Sequence, residues 1–122
     1  MVAKREKKFT KTILKAFIYH ILESIEKIEN YTKGLTYERF EKNSMVKDAV
    51  LRNLEIIGEA SKNIPEEIRY RYSDIPWSEM ARLRDRIIHK YFSVDYEIIW
   101  DIINNELPVL KRKLKLVISS LG

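Results

Sequence analysis

Arg84, His89 and Tyr91 place a guanidinium, an imidazole and a phenol close together in a chain that has only 2 histidines. An imidazole can act as a general base and acid near neutral pH. A guanidinium holds a phosphate with two donors in a fixed fork and stabilises the negative charge that grows on it. If the substrate is RNA, His89 could deprotonate the ribose 2′-hydroxyl, and no metal is required. These residues predict cleavage to a 2′,3′-cyclic phosphate and a 5′-hydroxyl, whereas DNA, which lacks that nucleophile, should survive.

The spacing constrains how these side chains can meet. Along a regular helix each residue advances by about 100°, so Arg84 and Tyr91 share a face while His89 lies about 140° away from Arg84. One regular helix therefore does not point Arg84 and His89 at the same phosphate. Either the helix ends or distorts near His89, or two copies of the segment meet across a dimer, and we expect both.

Neighbouring charges suggest how the imidazole could be held. Asp85 precedes His89 by four residues, which puts both on one helix face, so its carboxylate could accept the imidazole N–H and fix the tautomer. Arg82 and Arg86 flank Asp85 and would pair with it or add positive field. The alternative needs no chemistry: His89 could interact with the last carbonyls of a helix, Arg84 could form a surface ion pair, and Tyr91 could lie at the edge of the core.

Composition sets the class of protein. The chain has 122 residues, which is typical of one domain spanning 1–122, and 34% of them are charged, with 3 Gly and 3 Pro, as in an all-helical protein. It has no cysteine and no apolar run long enough to cross a membrane, which fits a cytoplasmic protein. The two histidines lie far apart and no metal site or cofactor is predicted. The net charge of +5 comes partly from a basic head at residues 1–10. It suits binding to a polyanion, or it only reflects lysines and arginines solvated at helix ends.

Apolar spacing and capping residues predict the helices. Thr36 and Asn43 are good N-caps, Gly34 suits a helix end, and prolines mark breaks or helix starts. The expected helices form a four-helix bundle with short additional helices. They span about 10–31, 36–42, 45–62, 65–72, 76 or 77 to 91 or 92, 93 or 95 to 104, and 108–119.

Two segments together resemble a known family. Residues 77–100 read WSEMARLRDRIIHKYFSVDYEIIW and residues 48–60 read DAVLRNLEIIGEA. Both are similar to the HepT-like branch of the HEPN superfamily, toxins paired with minimal nucleotidyltransferase (MNT) antitoxins, and the likeness covers roughly residues 18–110. The resemblance implies a homodimeric HEPN bundle and a metal-independent ribonuclease, with tRNA or another cellular RNA as substrate. The family motif Arg-x4-His-x-Tyr falls on Arg84, His89 and Tyr91.

The resemblance also implies partners and supporting residues. A cognate nucleotidyltransferase antitoxin would neutralise the toxin by transferring AMP to Tyr91. Asp85 fills the place of the polar residue that supports the site. Arg52, Asn53 and Glu55 have a possible role in a second layer around the cleft, or are polar residues at the bundle edge.

Three further residues are interpreted individually. Lys90 departs from the small or acidic residue expected before the motif tyrosine. Gly58, in mid-helix, suggests a close helix contact, which could be at the dimer interface. His20 is interpreted as structural.

Two rival functions remain open. The chain could be a non-catalytic HEPN module that binds a nucleotide or partners a nucleotidyltransferase, which loss of toxicity in His89→Ala would argue against. A basic DNA-binding helical protein is weaker, because no helix-turn-helix spacing with a recognition-helix composition is present.

Overall fold

The structure is a computed structural model, and it describes residues 9–89 and 93–122. The described chain is helical along most of its length. The helices are α1 (Lys11–Thr32), α2 (Tyr37–Glu41), α3 (Ser44–Lys62), α4 (Glu66–Arg71), α5 (Trp77–Ala81), α6 (Leu83–Ile87), α7 (Tyr96–Asp101), a π-helical segment (Ile102–Glu106) and α8 (Leu107–Leu121). The predicted all-α class is confirmed. No helix in the described part of the chain is both long enough and apolar enough to cross a membrane.

The predicted caps begin the helices. Thr36 and Asn43 each have extended backbone, and each side-chain oxygen accepts a hydrogen bond from the amide three residues further on, at 3.2 and 3.0 Å. Thr10 does the same for α1 at 3.2 Å. These bonds satisfy amides that have no partner inside the helix. Gly34 follows α1 with a φ of 76°, a left-handed conformation that glycine adopts without steric cost.

The core lies where α1 packs along α3 and α8. Each of these helices buries apolar residues at spacings of three and four, which produces one apolar face per helix. A fully buried Leu or Ile side chain stabilises the fold by about 1.5–3 kcal/mol relative to an exposed one. The most buried examples are Leu14, Ile18, Ile21, Ile25 and Ile28 of α1, Val50, Leu54 and Ile57 of α3, and Leu107 and Leu114 of α8.

An aromatic cluster joins α2 to α7. The Phe40 ring is fully buried and stacks on Trp100 with centroids 5.0 Å apart. Tyr96 meets the same ring edge-on at 6.1 Å, a geometry that aromatic quadrupoles favour. Because Tyr96 and Trp100 both lie on α7, the cluster fixes the position of that helix.

The segment after Pro76 differs from the prediction of one helix reaching Tyr91 or Phe92. It divides at Arg82, where φ is −102° and ψ is 17°, into α5 and α6. α6 then ends at Ile87, because Ile88 is extended and pairs with Val94 in an isolated antiparallel bridge. Backbone pairing with Val94 and packing against other helices thus override local helix propensity here.

Gly58 explains how the break is packed. A Cβ added at Gly58 would lie 3.3 Å from the carbonyl oxygen of Met80 and 3.9 Å from that of Ala81. The glycine therefore lets the end of α5 approach the backbone of α3 closely. The predicted close helix contact is present, and it is made within one chain.

The break predicted between the helix ending at Asn104 and the helix beginning at Pro108 is absent from the structure. The chain continues from α7 into α8 through the π-helical segment, and the Leu107 amide donates to the Ile102 carbonyl five residues back. Pro108 has no amide hydrogen, and its ring would clash with the carbonyl four residues earlier in a regular helix. The wider π turn places this proline in the first turn of α8 without ending the helical path.

Candidate active site

The backbone segments on either side of residues 90–92, which are residues 87–89 and 93–95, lie side by side between α6 and α7. The His89 amide donates to the Ser93 carbonyl at 2.6 Å, and the Asp95 amide donates to the Ile87 carbonyl at 2.8 Å. Together with the Ile88–Val94 bridge, these bonds fix the backbone of His89 relative to that of Asp95. Lys90 and Tyr91 lie outside the described residues, so the role predicted for Tyr91 stays a prediction.

The imidazole of His89 is held by Asp95. Its Nε2 lies 3.3 Å from Asp95 Oδ2, and the two side chains are 50% and 31% exposed. The other carboxylate oxygen of Asp95, Oδ1, accepts a hydrogen bond from the Ile98 amide at 3.1 Å and so caps α7. Asp95 thus serves two groups at once, and half of the imidazole surface remains open to a substrate.

Asp85, which we expected to hold His89, is exposed on α6 and makes no hydrogen bond or ion pair with any described residue. The expectation relied on a helix that continues to His89, and α6 ends two residues earlier. Sequence reasoning missed Asp95 as the partner. An aspartate just before a helix is recognisable as an N-cap, but the cap alone does not reveal its contact with His89.

Arg84 lies on α6 and is 60% exposed, with Nη1 at 3.6 Å from Glu55 Oε2 on α3. This ion pair is too long for a hydrogen bond, and the Arg84 guanidinium makes no hydrogen bond within residues 9–89 and 93–122, so its donors could bind a phosphate. The end of α6 at Ile87 removes the 140° separation that a regular helix would impose between Arg84 and His89. One of the two arrangements we predicted, a helix that ends near His89, is therefore confirmed.

Arg84 also lines a cavity with a volume of about 690 Å³ between α1 and α3. We call it the α1–α3 groove. Apolar side chains that include Ile13, Phe17 and Ile56 line it, together with the charged side chains of Arg52, Glu55 and Arg84. A concave surface of this kind suits a ligand or a partner.

The other predicted supporting residues divide between groove and interior. Arg52 and Glu55 line the groove beside Arg84. Asn53 is only 6% exposed, and its Nδ2 donates to the Ala49 carbonyl of its own helix at 2.9 Å. His20 is exposed and lines the same groove, and its interpretation as structural stays a prediction.

The flanking arginines do not pair with Asp85. Arg86 instead donates two hydrogen bonds to the Glu106 carboxylate, at 3.0 and 2.7 Å. These bonds raise the pKa of Arg86 above its usual value, although partial burial opposes the shift. Within residues 9–89 and 93–122, no cluster of three or more His, Asp or Glu side chains could hold a metal ion.

Comparison with known proteins identifies the class to which this fold and site belong. The model of a family described as "Ribonuclease HepT-like" matches residues 21–117. The chain belongs to this ribonuclease family of the HEPN superfamily.

Curated relatives agree with the family. A protein named "Putative RNase MJ0127" from Methanocaldococcus jannaschii is 48% identical over 95 residues, 78% of each chain. "Putative RNase MJ1216" from the same organism is 45% identical over 108 residues, 88% of this chain and 89% of that one. "Probable ribonuclease HepT" from Thermococcus cleftensis is 45% identical over 101 residues, 83% of this chain and 92% of the relative. No solved structure gives a significant match.

Proposed function

We propose that this chain is a metal-independent endoribonuclease and the toxin of a HepT/MNT toxin–antitoxin pair. The main support is the half-exposed imidazole of His89, which is held by a carboxylate and is five residues along the chain from Arg84, an exposed arginine. An imidazole held in this way can exchange a proton with a substrate, and the arginine can bind the phosphate.

The reaction is an internal transesterification of RNA. His89 accepts the proton of the 2′-hydroxyl, the 2′-oxygen forms a bond to phosphorus, and the bond from phosphorus to the 5′-oxygen breaks. Arg84 binds the phosphate and stabilises the charge that develops on its oxygens. The 5′-oxygen leaves with a proton, which gives a 2′,3′-cyclic phosphate and a 5′-hydroxyl. DNA is not a substrate because it lacks the 2′-hydroxyl.

Cellular RNA, with tRNA as the first candidate, is the proposed substrate. The net charge of +5 favours a polyanion in general. Arg82, at the break before α6, and Arg84, on α6, are both exposed, so a phosphate backbone could approach the site. Charge alone does not select one RNA, and the choice of tRNA comes from the family resemblance.

A second copy of the chain is the proposed occupant of the α1–α3 groove. The apolar side chains in its lining would be costly to leave open to water, and Arg84 belongs to the same lining. A copy docked there would bring the arginines of two chains close to one cleft. Ile56→Glu, which puts a charge on the groove wall, should lower the molar mass measured by light scattering from that of a dimer to that of a monomer. An unchanged mass would place the dimer interface elsewhere.

Tyr91 is the proposed site of AMP transfer by a cognate MNT-type nucleotidyltransferase, with both proteins in the cytoplasm. Tyr91 is two residues from His89 in the sequence. An adenylate on its phenol would bring bulk and negative charge close to the imidazole, which would obstruct the cleft and repel RNA.

The decisive experiment is cleavage of total tRNA by the purified, unmodified protein in EDTA. We expect wild type to leave 2′,3′-cyclic phosphate ends, and His89→Ala and Arg84→Ala to lose nearly all activity. Arg112→Ala is the matched control, because Arg112 lies on α8 and bonds only a carbonyl of its own helix among the described contacts. Folded wild-type protein with unmodified Tyr91 and no cleavage would favour the non-catalytic binding module instead.

A further inference from the structure

We propose that Asp95 is the positioning residue of His89: it holds the imidazole with hydrogen on Nε2 and leaves Nδ1 as the nitrogen that accepts the substrate proton. This inference rests on the proposed function for its role in cleavage. The arrangement of His89 and Asp95 can be tested separately.

The carboxylate of Asp95 is fixed by a bond that has nothing to do with the imidazole. Its Oδ1 accepts the Ile98 amide at 3.1 Å as the cap of α7. This hydrogen bond restrains the orientation of the carboxylate, and its other oxygen, Oδ2, lies 3.3 Å from His89 Nε2. α7 is itself anchored by the packing of Tyr96 and Trp100 on Phe40. The position of the imidazole partner is therefore determined by the bundle core.

The backbone fixes the other side of the pair. The amides of His89 and Asp95 donate to the carbonyls of Ser93 and Ile87, at 2.6 and 2.8 Å. These bonds place the Cα atoms of His89 and Asp95 on adjacent, paired backbone segments. A cap bond and two backbone bonds thus hold both side chains of the pair in register.

The chemistry follows from the two ring nitrogens. A neutral imidazole has one N–H donor and one acceptor nitrogen, and a carboxylate can only accept. Nε2 must therefore carry the hydrogen that faces Asp95, which leaves the lone pair on Nδ1. When Nδ1 takes the 2′-hydroxyl proton, the ring becomes a cation, which the carboxylate stabilises. The proton remains on the imidazole until it passes to the leaving 5′-oxygen or to water.

The Asp95→Asn variant distinguishes the two roles of Asp95, which are to cap α7 and to fix the tautomer of His89. Asparagine caps helices about as well as aspartate, so its side-chain oxygen can keep the Ile98 amide. Its NH₂ group then faces Nε2 and donates to it, which moves the ring hydrogen to Nδ1. We expect kcat for RNA cleavage to fall about 10- to 100-fold with little change in KM, less than for a fully buried triad because this pair is partly exposed.

The direct measurement is nitrogen NMR of the neutral imidazole, recorded at a pH high enough that the ring signals no longer change on further addition of base. The spectrum contains only 2 histidines, so His89→Ala assigns it. Wild type should show hydrogen on Nε2, and Asp95→Asn should show it on Nδ1, with the melting temperature within about 2 °C of wild type. Glu97→Gln, which removes an exposed carboxylate from the first turn of α7, should change neither the tautomer nor kcat.

Asp95→Ser provides a second variant in case the asparagine protein folds poorly. Serine can cap α7 but its shorter side chain cannot also reach Nε2, so the neutral ring should become a mixture of tautomers and kcat should fall. The same tautomer in wild type and Asp95→Asn would overturn the proposal. A shifted tautomer in a protein whose wild type does not cleave RNA would leave the positioning role intact and reject the ribonuclease function.

Discussion

Arg86 and Glu106 form a two-point ion pair between α6 and the π-helical segment. Nη1 and Nη2 of Arg86 donate to the two carboxylate oxygens of Glu106, at 3.0 and 2.7 Å, although the two residues are 20 positions apart in the chain. The pair ties the helix that carries Arg84 to the start of α8. It also accounts for the failure of Arg86 to pair with Asp85, because a fork that faces a carboxylate in plane is the stronger interaction.

Loss of this pair should lower stability moderately. Both side chains are more than a third exposed (34% and 41%), so solvent screening limits the effect, and we expect Glu106→Gln to reduce the free energy of unfolding by about 1 kcal/mol. Urea denaturation of Glu106→Gln, Arg86→Met and the double variant measures the coupling. Glu23→Gln, which removes an exposed pair at 4.0 Å, is the control and should change stability by less than about 0.5 kcal/mol. No coupling between Arg86 and Glu106 would contradict the assignment.

Glu55 should weaken RNA binding at Arg84. Its carboxylate lies 3.6 Å from the guanidinium, where it partly neutralises the charge that a phosphate would meet. We expect Glu55→Gln to bind RNA about two- to fivefold more tightly at low salt, with a smaller gain at high salt because screening reduces both interactions. Fluorescence anisotropy with a labelled RNA and the His89→Ala background measures this without cleavage. Weaker binding would mean that Glu55 instead orients Arg84; Glu38→Gln, on α2, is the control.

Gly58 should tolerate only the smallest side chain. Alanine would gain about 1 kcal/mol of helix propensity, but its Cβ would lie 3.3 Å from the Met80 carbonyl oxygen, so the net change in unfolding free energy should be small. Valine adds two methyl groups at the same contact, and we expect a loss of about 1–3 kcal/mol from overpacking. Thermal and urea unfolding test both variants. A valine variant as stable as wild type would show that α5 can move away from α3.

Tyr96 should make the fold sensitive to alkali. Burial, and next the negative charge of Asp48, raise the pKa of its phenol above the ordinary value of 10.0. The unfolded chain therefore loses this proton first, so the stability contributed by protonated Tyr96 is complete below about pH 10 and declines as the pH rises towards the folded pKa.

Tyr96→Phe removes this titration. We expect its unfolding free energy to fall less steeply than that of wild type between about pH 10 and 11, measured by urea denaturation at each pH. Tyr70→Phe is the control, because Tyr70 is 86% exposed. Parallel pH curves for wild type and Tyr96→Phe would contradict the effect assigned to burial.

The sequence by itself determined the helices with strong local signals. Thr36 and Asn43 were recognisable as caps because a short polar side chain next to an apolar repeat satisfies orphan amides wherever the helix lies. The repeats of α1 and α3 determined which faces are buried, since periodicity of three and four leaves one apolar side. The choice of Arg84 and His89 also needed only residue types, spacing and the family resemblance.

Only the tertiary structure decided how His89 is held. The prediction for Asp85 assumed a continuous helix, and that assumption is local. α6 ends because Ile88 pairs with Val94, six residues further on, and the break between α5 and α6 lies where the end of α5 packs on Gly58 of α3. The partner of His89 is consequently Asp95, six residues later and at the cap of another helix, and Pro108 follows a π turn rather than a break. Local propensity selects elements, whereas the free energy of packing and backbone pairing between them decides where each one ends.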